Sequence, residues 1–107
     1  MPESQERGAL TEAVFYILLS LYKPLHGYGI MQFVSEISHK RVSLGAGTLY
    51  GAISTLLEKG WIKSVSEGTG DRKKEYVITP VGKQLIKDEL LRLEELLDNG
   101  RRIAGEG

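Results

Sequence analysis

The chain has 107 residues, 41% hydrophobic and 26% charged, with no net charge and no cysteine. That length suits one domain with one core, and the missing cysteines exclude disulfides and thiolate metal sites. No apolar run approaches the roughly 18 residues of a membrane span and nothing marks a signal peptide, so a soluble cytoplasmic chain is expected.

Residues 1–9 are polar and charged without apolar period, which predicts a disordered terminus. Thr11 is placed to N-cap a helix running to about Tyr22, with Glu12 in its first turn. Val14, Ile17, Leu18 and Leu21 recur at helical spacing and predict a buried face. Phe15, Tyr16 and Leu19 widen the apolar surface, as expected of a helix that also meets a second partner outside the domain. Pro24 and Gly27 break the helix. A second helix is predicted from about Tyr28 to His39, with Ile30, Phe33, Val34 and Ile37 as its buried stripe, and residues 40–44 as a short connection.

Residues 43–60 form the stretch around which the chain is organised. At about 100° per residue, Leu49, Ile53, Leu56 and Leu57 share one face, with Tyr50 at its border. The opposite face carries Thr48, Gly51, Ser54 and Thr55, with Glu58 and Lys59 only at its far end. A solvated face would ordinarily carry charges along its length. Small hydroxyl-bearing residues instead allow close approach to another surface, as a helix entering a DNA major groove requires. A core helix with an incidentally small outer face is the plainer alternative. Gly60 is the expected stop signal.

Trp61 to Glu67 and Arg72 to Thr79 read as two strands around the turn residues 68–71. Arg72, Lys73 and Lys74 stand in a row beside that turn. Alone they describe a solvated turn; beside a helix with a small polar face they describe a wing that reaches phosphates. Thr79 and Pro80 open the last helix as N-cap and first helical residue. It is expected to run to about Asp98 and to stop at Asn99–Gly100, leaving a disordered tail over 100–107. Ile86, Leu90, Leu93 and Leu97 follow a 4-3-4 spacing like a short coiled-coil seam. A partner subunit is the economical cover for that seam, with Val14, Ile17 and Leu18 of the first helix as its receiving face.

The expected architecture is therefore mainly α with a small β-hairpin: a winged helix-turn-helix over 1–80 and a dimerisation helix over 81–99. Charge is unevenly spread. Residues 23–80 hold eight Lys and Arg against five Asp and Glu, a modest basic excess on the candidate DNA-reading segment. No nucleophile, acid pair or metal-ligand set surrounds His26 or His39, so neither an enzyme, a metal nor a cofactor is expected. The rival to DNA binding is a winged-helix module that binds protein or a small ligand without DNA.

With these elements placed, three stretches carry a resemblance. His26-Gly27-Tyr28-Gly29-Ile30, Gly47-Thr48-Leu49-Tyr50 with Leu56 to Ile62, and Arg72 to Tyr76 with Ile78 to Gly82 together resemble the PadR family of transcriptional regulators. The short C-terminal region resembles the subfamily with a single dimerisation helix. The resemblance implies a homodimer on a palindromic operator, usually a repressor, with some members released by a small-molecule effector. Gly29 and Trp61 depart from the family's common residues. The last helix has no Trp, Tyr or Phe, so the resemblance implies no effector identity. At the matching positions, Ser43, Thr48, Ser54 and Thr55 offer hydroxyls to phosphates or bases, and Gly47 and Gly51 permit close approach. Tyr50 suits either packing or a phosphate, and Tyr28 either the core or the DNA backbone. The polar face has no Arg, Asn or Gln for bidentate base reading, so specificity is expected to lean on shape, half-site spacing and the wing.

Overall fold

The computed structural model describes residues 9–65 and 74–105. Helix α1 spans Glu12–Ser20, and the Thr11 hydroxyl accepts the Val14 N–H at 3.1 Å, as a capping threonine does. It stops two residues before the expected Tyr22. Leu21 and Tyr22 bond back to the carbonyls of Leu18 and Leu19, at 3.1 and 3.3 Å, tightening the last turn. A two-residue strand, β1 (Leu25–His26), follows and leads directly into α2 (Gly27–Ile37). Helix α3 covers Ala46–Glu58, β2 covers Ile62–Ser64, β3 covers Glu75–Ile78 and α4 covers Pro80–Ala104.

Strand β1 is a finding, since two residues leave no readable period. It converts the expected hairpin into a three-stranded antiparallel sheet with β3 at its centre. Leu25 pairs with Tyr76 and His26 with Glu75 on one side of β3, while Ile62 pairs with Ile78 on the other.

One core holds these elements together. Leu18, Leu21, Ile30, Val34 and Leu49 have no exposed surface, and Ile53, Leu56, Ile62, Ile78, Leu85 and Ile86 are nearly as buried. Each such side chain contributes about 1.5–3 kcal/mol. Ile37, expected on the buried stripe of α2, is instead exposed. Ser38 takes the inward position: its hydroxyl donates to the Val34 carbonyl at 2.7 Å and accepts the Val42 N–H at 3.0 Å. His39 and Lys40 then adopt positive φ, and their left-handed geometry ends α2 short of His39 and turns the chain towards α3.

Gly60, at φ 76°, ends α3 as expected. Its N–H bonds the Leu57 carbonyl at 3.0 Å and the Trp61 N–H bonds Leu56 at 3.1 Å, which is a Schellman stop. The chain emerging from that stop meets α4. Thr79 caps α4 by accepting the Gly82 N–H at 3.2 Å, while its hydroxyl donates to the Gly60 carbonyl at 2.7 Å. A Cβ on Gly82 would lie 2.3 Å from the Trp61 carbonyl oxygen, so only glycine permits this crossing.

Helix α4 does not stop at Asn99–Gly100. It continues through both to Ala104 and ends on Gly105, at φ 72°. Residues 100–104 are helical, not tail. An internal glycine costs about 1 kcal/mol. Against that, Arg101 and Arg102 sit in the last turn, where the helix dipole favours cations, and Arg102 donates to the Asn99 side chain at 2.6 Å. The expected disorder of residues 1–9 falls mainly outside the described residues; Ala9 is exposed and Leu10 partly buried.

Two outcomes check this packing. Gly82→Ala must push α4 off the Trp61 carbonyl, and thermal melting should show a loss of about 1–3 kcal/mol. Ser38→Ala strands the Val42 N–H, and should lower stability by about 1–3 kcal/mol in denaturant titration while leaving helix content intact.

Candidate nucleic-acid interface

The first α3 turns emerge from the α2–α3 connection that Ser38 braces. Leu49, Ile53 and Leu56 fix α3 in the core through its inner face. Its outer face is then set by rotation alone. Gly47, Thr48, Gly51, Ser54 and Thr55 are all exposed, as is Ser43 just before the helix. Among the described residues, a Cβ added at Gly45, Gly47 or Gly51 would meet nothing within 4 Å. The helix therefore presents bare backbone with a few hydroxyls, as its sequence led one to expect.

Thr55 departs from that expectation in one respect. Its hydroxyl donates to the Gly51 carbonyl at 3.2 Å, so that proton is spent on its own helix and Thr48 and Ser54 hold the freer donors. Tyr28 is 61% exposed; it lies outside the core, and the packing alternative for it falls. Tyr50 is 49% exposed, and the end of its ring lies against the backbone of Gly27 at the start of α2. Tyr76, on the central strand, is buried, and burial together with the neighbouring Tyr50 raises its phenol above the usual value. Lys74 is exposed at the entry to β3. Arg72 and Lys73, the other two cations expected on the wing, lie outside the described residues.

The residues expected at a subunit contact divide sharply. Ile17, Leu18 and Ile86 are buried in the protomer's own core and have no surface to offer a partner. Helical period had placed them correctly on an apolar face; it could not say which body covers that face. Val14 is partly buried. Leu90, Leu93 and Leu97 are exposed, and Leu96 and Leu91 with them, because α4 leaves the domain after Glu89. That glutamate is a buried carboxylate the sequence reading missed. It accepts the Leu10 N–H at 3.2 Å and two bonds from Arg92, at 3.1 and 2.5 Å. Its signal was positional, since it shares the buried arc of Leu85 and Ile86. Beside it lies a cavity of about 280 Å³ lined by Leu10, Glu12, Phe15, Tyr16, Glu89 and Leu93. Glu12 is also ion-paired with Arg41 across the surface.

His26 and His39 stand at opposite ends of α2. Among the described residues no group of three or more His, Cys, Asp or Glu is placed to hold a metal, and no helix is long and apolar enough to cross a membrane.

The same arrangement recurs in known proteins. A transcriptional regulator from Clostridium thermocellum has this fold, with a TM-score of 0.70, 24% identity, and 86% of this chain covering 88% of that one. Bacillus subtilis PadR, solved in complex with operator DNA, matches with a TM-score of 0.63 and 29% identity over 78% of this chain and 48% of its own. An uncharacterised 37.1 kDa protein of transposon TN4556 from Streptomyces fradiae is 36% identical over 66 residues, 62% of this chain. The chain spans only 18% of that relative's length. The model of the Transcriptional regulator PadR-like family matches residues 14–88. That span holds most of α1, all of α2, α3 and the sheet, and the first turns of α4; the chain belongs to the PadR-like family of transcriptional regulators.

Proposed function

We propose that this protein is a sequence-specific DNA-binding repressor that acts as a homodimer in the cytoplasm and is released by a small-molecule effector. The observation that carries the reading is the outer face of α3: open at Gly47 and Gly51, hydroxyl-bearing at Thr48 and Ser54, and uncovered by any described residue. The solved complex of Bacillus subtilis PadR with operator DNA supports the same use of the fold. Helix α3 enters the major groove; Ser43, Tyr28 and Tyr50 flank it towards the backbone; Lys74, with Arg72 and Lys73, supplies wing charge. Phosphate contacts of this kind fix register, and the few base contacts add to sequence-dependent shape.

Dimerisation supplies the second half-site. Leu90, Leu93 and Leu97 lie at i, i+3 and i+7 on the emerging half of α4 and are exposed in the single chain. Burying them against a second copy would set two reading helices roughly 34 Å apart, one DNA turn, as a palindrome demands. The cavity beside Leu93 touches both α1 and α4, so an effector seated there would press on the joint that fixes this spacing. Effector release at that joint is part of the proposal.

A carboxylate on the reading face tests the DNA contact. Thr48→Glu and Gly51→Glu should each lower affinity for a DNA duplex about 100-fold or more in gel-shift titration, with melting near wild type because neither side chain is packed. Undiminished binding by both variants would move DNA off α3, and lack of DNA binding by the wild type would favour a protein- or ligand-binding module. Leu90→Asp should raise the dimer dissociation constant about 100-fold or more, seen as monomer by sedimentation velocity with the fold retained.

A further inference from the structure

We infer that Gly27 is a positioning residue for DNA binding: its bare backbone is the seat of the Tyr50 ring, and that seat aims the Tyr50 hydroxyl at a phosphate. The inference rests on the DNA-binding reading above. It joins two sequence stretches, His26-Gly27-Tyr28 and Gly47-Thr48-Leu49-Tyr50, into one device.

A Cβ built on Gly27 would lie 2.1 Å from the Tyr50 hydroxyl oxygen, 2.7 Å from Cζ and 3.2 Å from Cε1. Any other residue at position 27 therefore occupies the space of the phenol. Backbone conformation does not account for the glycine. The described glycines with positive φ are Gly60 and Gly105, and an L-residue would take the backbone of Gly27 without strain. Helix starts also favour other residues on propensity alone. What position 27 supplies is room. Gly47, in the second stretch, has open space around it, and Gly29 is tight against a different side chain, with a Cβ there 2.6 Å from Leu25 Cδ1.

The seated side chain is not an ordinary core tyrosine. Tyr50 springs from α3, spans to the first residue of α2 and remains 49% exposed. Among the described residues its hydroxyl has no hydrogen-bond partner, so on a solvated protein it is free to exchange water for a phosphate oxygen. Tyr50 thus stands where α2 and α3 meet. Its direction is set by the close approach that only glycine allows. A phosphate contact made from a fixed direction fixes protein register on the duplex.

The test is a double-mutant cycle read by fluorescence anisotropy on a labelled mixed-sequence duplex at low salt, since phosphate contacts are shared by all sequences. Gly27→Ala and Tyr50→Phe should each weaken binding about tenfold or more, the loss of one hydrogen bond to an anionic phosphate oxygen. The double variant should be no weaker than either single one. The salt slope should not change, because the phenol is uncharged. Melting of Gly27→Ala should stay near wild type, since a half-exposed ring can swing away, and the nuclear Overhauser contact between Gly27 Hα and the Tyr50 ring should vanish. Multiplying effects, or a Gly27→Ala protein that binds like wild type, overturn the inference. If Gly27→Ala folds poorly, Tyr50→Phe decides alone: weakened binding at unchanged melting supports the aim at a phosphate, and unchanged binding overturns it. Thr48→Glu separates the two levels. If it loses DNA while Gly27→Ala does not, only the seat is wrong; if neither loses DNA, the DNA-binding reading falls as well.

Discussion

Helix α3 is fixed from one side only. Leu49, Ile53 and Leu56 hold it in the core at 0–2% exposure, while no described residue covers the opposite side at Gly45, Gly47 and Gly51. Interior packing tolerates little rotation, since a one-residue turn of the helix would expel three large aliphatic side chains and admit polar ones. The buried face therefore aims the open one. The Ser38 brace at one end and the Schellman stop at Gly60 at the other serve the same purpose, holding the start and finish of α3 in place.

The second constraint is where α4 crosses the exit from α3. The Thr79 cap, the Gly60 and Trp61 carbonyls and the bare Cα of Gly82 meet at one point. Through it the last helix is tied to the end of α3. Beyond Glu89 the helix leaves the domain carrying leucines into solvent. Glu89 itself is a buried charge, tolerable because Arg92 and the Leu10 N–H satisfy it. Pairing of this kind gives little net stability but heavily penalises any arrangement that breaks it. It thereby holds the start of α1 against the middle of α4, beside the cavity and the exposed seam.

Much of this was legible in the sequence for definite reasons. Thr11, Gly60 and Thr79-Pro80 are local signals whose chemistry does not depend on the rest of the fold, and each acts where expected. The faces of α3 were legible because a single helical period separates aliphatic from small polar residues. Strand β1 was not, since two residues have no period and its pairing is supplied by distant Tyr76 and Glu75. The end of α4 was misplaced because Asn99–Gly100 is a stop signal only when no better one follows, and Gly105 follows. Ile17, Leu18 and Ile86 were read as partner-facing because an apolar face announces burial without naming what buries it. Ser38 was overlooked because a serine on an apolar stripe looks like an interruption until its two backbone partners are seen. The Gly27–Tyr50 seat joins residues far apart in sequence, and no local pattern could have shown it.

We propose that α3 reads DNA and that two copies do so together. Hydroxyl-radical footprinting of the DNA upstream of the protein's own gene tests it most directly. Two protected patches of like shape are expected, related by a local twofold axis and centred about one helical turn, roughly 34 Å, apart. A single isolated patch would contradict the paired arrangement, and uniform cleavage at every protein concentration in low salt would contradict DNA reading itself.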